Sequence, residues 1–117
     1  MPTITALPTA QDIQLYIGDD FYCDVTVTNP DGSAADLSSV TAAAQVRASA
    51  SDTNTLAVFT CTIAGNIIHL KLPHTETVKL TAGSAAVWDC QITASGSGDI
   101  TTLVAGKITG TAEVTRP

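Results

Sequence analysis

From Phe21 to Thr28 every second residue is apolar, with Phe21, Cys23, Val25 and Val27 in one phase and Tyr22, Asp24, Thr26 and Thr28 in the other. A helix would scatter these residues around its surface, whereas a strand points successive side chains to opposite faces and so gathers the apolar set on one side. The segment predicts a half-buried strand, and the same two-residue period recurs along the chain. Ile13 to Ile17 alternates Ile13, Leu15 and Ile17 against Gln14 and Tyr16, then breaks at Gly18-Asp19-Asp20. Val40 to Arg47 places Val40, Ala42, Ala44 and Val46 out of phase with Thr41, Ala43, Gln45 and Arg47. Its alanine content leaves a short helix open, but the alternation favours a strand.

Later segments follow the same rule. Leu56 to Ile63 carries Phe59, Cys61 and Ile63 in phase, and Ala64-Gly65-Asn66 turns it into Ile67 to Leu72, a predicted β-hairpin. Ala85 to Thr93 directs Ala86, Trp88, Cys90 and Ile92 inward and Val87, Asp89 and Gln91 outward. Ile100 to Thr115 is too long for one flat strand. A split is expected near Ala105 and Gly106, where Gly106 or Gly110 suggests a bulge or a close backbone approach.

The punctuation between these runs is turn chemistry. Asn29-Pro30-Asp31-Gly32 predicts a chain reversal, Ser49 to Thr55 a loop, and Ser95-Gly96-Ser97-Gly98-Asp99 a hairpin loop. Pro73 ends a strand, and Thr75 to Leu80 reads as one short helical turn near 75–80, capped by Thr75 and stopped at Ala82-Gly83. About seven short strands separated by turn signals every 8 to 12 residues or so predict an all-β, immunoglobulin-like antiparallel β-sandwich. The connections are too short for repeated βαβ units.

At 117 residues the chain fits one domain, read as residues 12–117, preceded by an extended N-terminal arm over residues 1–11 in which Pro2 and Pro8 restrict the backbone. Apolar residues make up 44% of the chain but aromatics only 4%, so the core must be built from Val, Ile, Leu and Ala. That composition suits two facing sheets better than a deep cleft lined with aromatic and ionisable groups. Five basic against eleven acidic residues leave a net charge of −6, which repels phosphate backbones and anionic lipid. Arg47, Lys71, Lys79, Lys107 and Arg116 form no cluster, so neither nucleic acid nor a membrane is expected as a partner. There is no apolar run of about 18 residues, and Met1 to Ala10 has no signal-peptide pattern.

Few residues suggest chemistry. Asp19, Asp20 and Asp24 offer oxygen ligands for calcium, yet Gly-Asp-Asp is also ordinary turn chemistry, and Asp31, Asp36 and Asp52 fall in separate loops. His69 and His74 lack a third or fourth ligand for zinc, and His69 lies in the solvent-facing phase. Cys23, Cys61 and Cys90 have no metal spacing and are expected to be reduced, buried and inert. No serine sits in a nucleophile-elbow pattern. The expectation is therefore no catalytic, cofactor or metal site and no cofactor. Trp88, in phase with Cys90 and Ile92, belongs at the centre of a core. Tyr16 and Tyr22 remain as the exposed aromatics a carbohydrate-binding module would need.

The order of segments is itself distinctive: Gly18-Asp19-Asp20-Phe21 opening a strand, Asn29-Pro30-Asp31-Gly32, Ala35-Asp36-Leu37-Ser38, then Ala44-Gln45-Val46-Arg47. Ala82-Gly83 precedes Trp88-Asp89-Cys90-Gln91-Ile92, and Thr102 to Ile108 runs on through Glu113-Val114-Thr115-Arg116. From about Ile13 to Arg116 the chain resembles small virion proteins of tailed bacteriophages. It is similar to the immunoglobulin-like domain at the N-terminus of upper-baseplate and fibre-attachment proteins. The resemblance implies a non-enzymatic adaptor in the virion, made in the host cytoplasm, that packs in several copies against tail, baseplate or capsid subunits. Because no receptor-binding module follows before Pro117, a stand-alone adaptor or decoration subunit is expected, with a baseplate or tail-fibre adaptor preferred. A capsid decoration protein on the head exterior and a carbohydrate- or cell-surface-binding module are the alternatives.

Overall fold

The computed structural model describes residues 9–28, 31–112 and 114. They form nine strands and one helical turn: β1 (Thr9–Ala10), β2 (Ile13–Ile17), β3 (Phe21–Thr26), β4 (Val40–Arg47), β5 (Ala57–Val58), β6 (Thr60–Ala64), β7 (Ile67–Leu72), α1 (His74–Thr77), β8 (Ala85–Ala94) and β9 (Ile100–Ala112). One sheet runs β5-β4-β8-β9, with β1 and β2 both lying parallel along the outer side of β9. The other is β3-β7-β6, antiparallel throughout. The all-β, two-sheet fold expected from the alternation is present, and Val40–Arg47 is a strand rather than a helix.

The core lies between the sheets. Val46, Ile68, Leu72, Cys90, Ile92 and Ile108 are fully buried, and Phe59 packs obliquely on Trp88 with ring centroids 5.6 Å apart. Trp88 is 3% exposed, as its phase requires.

Three local expectations change. The run Leu56 to Ile63 is two strands, not one: β5 pairs with β4, and after Phe59 the chain passes into the opposite sheet as β6. Phe59 makes the crossing while still donating its N–H to Ala44 O at 3.0 Å, which closes that flank of the sandwich. Conversely, the expected split near Ala105 and Gly106 does not occur, and β9 continues for 13 residues. The irregularity sits earlier, where Cys90 faces Val104 but Gln91 faces Thr102, leaving Leu103 as an extra residue in β9. Such a bulge breaks the two-residue alternation. Leu103 and Val104 consequently both point into the core.

Gly106 was expected to mark a close backbone approach, and it does. A Cβ there would collide with the carbonyl of Gln11, in the link between β1 and β2. The helical turn begins one residue before Thr75, with Pro73 at its N-cap and no capping side chain of its own. Asp20, from the distant β2–β3 turn, accepts the His74 N–H instead, at 2.7 Å.

Candidate functional site: an open groove between β2 and β3

The two strands β2 and β3 are consecutive in sequence but belong to different sheets, so the turn joining them sets the opening of one flank. That turn is built on Gly18, whose φ of 97° is easily reached only without a Cβ. Its N–H donates to Thr77 Oγ1 at 3.0 Å, and the same hydroxyl donates to Asp19 O at 2.9 Å. Thr77 is fully buried, so both bonds are made away from water. Asp20 fastens the neighbouring helical turn, and the His74 N–H, followed by the His74 side chain, holds its carboxyl below the ordinary value of 3.8. The chemistry at Gly18-Asp19-Asp20 is thus a clasp between the turn and α1.

Beside this clasp a groove of about 530 Å³ lies between β2 and β3. Its floor is apolar, from Trp88, Leu103, Val104 and Ile13, and its β3 wall is Phe21, Cys23 and Val25, continued by Val27 just past the strand. Gln11, Asp12, Gln14 and Asp24 form a polar, acidic rim. The Trp88 indole is fixed by donating Nε1–H to Gln11 O at 2.9 Å, and Asp12 Oδ1 accepts the Lys107 N–H at 3.0 Å. The β1–β2 link is therefore anchored to β9 while the groove beside it stays open.

The degree of burial separates the wall from its neighbours. Phe21, Cys23 and Val25 pair in register with Leu72, Leu70 and Ile68. The β7 residues are at most 1% exposed, whereas their β3 partners are only half-buried. Among the described residues β3 pairs with β7 alone, so its groove-side edge has no strand against it.

The residues singled out for chemistry lie apart from one another. Asp20 faces His74 and Asp24 faces His69, with Oδ1 to Nδ1 distances of 3.0 and 2.7 Å. Among the described residues no three His, Cys, Asp or Glu side chains gather as metal ligands. Cys23 and Cys61 both sit opposite Leu70, on either side of it, and are half-buried rather than buried as expected. They lie on the two outer strands of a three-stranded sheet, so the core covers only part of each side chain. Burial raises all three thiols, and Cys90, fully enclosed, is pushed up to about 12. Each is a poor nucleophile. Tyr16 and Tyr22 are exposed, Tyr22 at 66%, and Lys71 Nζ lies over the Tyr22 ring at 5.5 Å.

The groove had one legible component, the alternation of β3. Its floor depends on the Leu103 bulge, and neither that bulge nor the Thr77 clasp has a local sequence signal beyond the adjacent apolar pair Leu103-Val104. No helix among the described residues is long and apolar enough to cross a membrane. Compared with known protein families and with curated proteins, the chain matches none. What fold and site together define is an all-β, two-sheet domain in which, among the described residues, one flank is unclosed.

Proposed function

We propose that this protein is a non-enzymatic structural subunit of a tailed-bacteriophage virion, an immunoglobulin-like adaptor of the baseplate or tail fibre that packs against other virion subunits. The observation that carries this reading is the open β3 edge with its apolar groove. A strand edge offers a row of backbone donors and acceptors, and half-buried apolar side chains beside it add area to any extended segment that docks there. The strand order supports the immunoglobulin-like assignment: a three-stranded antiparallel sheet faces a sheet whose last strand takes the N-terminal strands in parallel. The sequence resemblance from Ile13 to Arg116 points the same way.

Contacts of this size are individually weak, and particle symmetry repeats them, so attachment becomes firm through multivalency. The N-terminal segment contributes as an arm that lies on a neighbouring subunit. Its last residues belong to the domain, since Thr9 and Ala10 pair with β9 and Gln11 holds Trp88. Removal of residues 1–8, rather than 1–11, is therefore the truncation that isolates the arm. The truncated chain should fold and incorporate poorly into particles.

Immunogold labelling of native particles tests the assignment. Label confined to the tail tip is expected. Label spread over the head would make the protein a capsid decoration subunit, and particles without label would overturn the virion reading.

A further inference from the structure

We infer that the segment from His74 to Lys79 is an acid-loosened strap: it ties the β2–β3 turn to the edge of β5, and its two carboxylate ties let go in acid while the sandwich behind it stays folded. This response belongs to the domain itself and needs no virion.

The four residues of α1 are far short of the roughly 12–15 at which an isolated helix becomes even marginally stable, so what the segment touches decides where it lies. Three side chains tie it down. Asp20 Oδ1, in the β2–β3 turn, accepts the His74 N–H at 2.7 Å and lies 3.0 Å from His74 Nδ1. Thr77 Oγ1 accepts the Gly18 N–H and donates to Asp19 O in the same turn. On the other side Glu76 Oε1 accepts the Val58 N–H at 2.9 Å, and Lys79 Nζ donates to Glu76 Oε2 at 2.6 Å. The Gly18–Asp20 turn leads into β3, in the three-stranded sheet, whereas β5 is an edge of the other sheet. The strap therefore links the start of one sheet to the edge of the other.

The ties differ in chemistry, and that difference sets the response. Two are carboxylates, which accept most strongly while ionised. Their side chains are 40% exposed at Asp20 and 19% at Glu76, so protons reach both without unfolding the domain. The titratable groups that face Asp20 are His74, on the strap, and Lys71, on β7; Lys79 faces Glu76. The His74 N–H, then its side chain, holds Asp20 below its ordinary 3.8, and Lys79, then the Val58 N–H, holds Glu76 below its ordinary 4.5. Because both folded-state values are depressed, both ties are complete above the ordinary values and are lost as pH falls through them and below. The third tie, Thr77, carries no charge and is fully buried, and Leu80 just beyond the strap is 7% exposed in the core. Acid thus frees the two outer ties and leaves the segment pinned at Thr77. The Val58 N–H loses its acceptor, and the edge of β5 is no longer blunted.

Amide NMR of the full-length protein across pH provides the test. The Val58 and His74 amide resonances should move with the titrations of Glu76 and Asp20, each with a midpoint below the ordinary carboxyl value. Their protection against exchange, corrected for the intrinsic effect of pH, should fall about tenfold, the order expected when a hydrogen bond to a charged group is lost. Trp88 fluorescence, and the protection of the Gly18 amide that reports the Thr77 tie, should hold through that step. In Glu76→Gln the Val58 amide should no longer follow pH while the His74 amide still does, and Asp20→Asn should give the reverse. Collapse of Trp88 fluorescence and of all amide protection in the same step would overturn the inference, because the strap would then have no release of its own. Val58 or His74 amides that keep their protection after both carboxyls have titrated would overturn it too. So would a Val58 response that survives Glu76→Gln, by assigning the pH sensitivity to another group.

Discussion

The two flanks of the sandwich are closed by different means, and among the described residues just one of them is closed completely. On the β5–β6 side the chain itself crosses between sheets at Phe59, which is buried against Trp88, and its N–H bonds to Ala44. The exposed β5 edge there is also blunted, since Glu76 Oε1 accepts the Val58 N–H at 2.9 Å. Lys79, bonding to the same carboxyl, and the Val58 N–H hold Glu76 below its ordinary range, so it stays ionised in that role. On the β2–β3 side the crossing is made at the far end, through Gly18 and the Thr77 clasp, and below it the wall of β3 faces an open groove. Among the described residues no strand lies against the outer edge of β3, and an uncovered edge beside apolar surface favours the addition of another strand.

If the contrast is right, equal truncations should cost unequal amounts. Leu70→Ala, on the central strand between β3 and β6, should destabilise by about 2–5 kcal/mol in denaturant unfolding. Gly106→Ala, whose added methyl meets the Gln11 carbonyl, should cost about 2–3 kcal/mol and shift Trp88 fluorescence as the β1–β2 link is displaced. Thr77→Val removes the hydroxyl that bonds Gly18 and Asp19, and about 1–3 kcal/mol should go with it. Val25→Ala, in the open wall, should cost about 1 kcal/mol or less in dilute protein. A Val25→Ala cost approaching that of Leu70→Ala would mean that the groove is filled in the isolated molecule. The smallest effect concerns acid. The folded-state pKa of Asp20 is depressed, so its contribution is complete above its ordinary value of 3.8 and fades as pH falls through that value and below. Asp20→Asn should remove that part of the acid dependence of unfolding.

The contrast also marks where sequence reading succeeds. Period-two alternation located β2, β3, β4, β7 and β8, because their environment has one wet and one dry face and each residue registers it directly. It missed the passage of Leu56–Ile63 between sheets, since Ala57, Phe59, Cys61 and Ile63 keep the same phase while the strand changes partner. It put the irregularity of β9 at Gly106, the residue with an obvious conformational licence. The extra residue is Leu103, which is chemically unremarkable and displaced only by its register with β8. The clasp was hidden for a related reason: Thr77 lies 59 residues from Gly18, and nothing local distinguishes it from the exposed threonines around it.

Amide hydrogen exchange, resolved by residue, probes the open flank most directly. The β7 amides, paired on both sides, should be strongly protected, while the β3 amides that face away from β7 exchange quickly. Equal protection of β3 and β7 would contradict the contrast, because the β2–β3 flank would then be closed within the molecule.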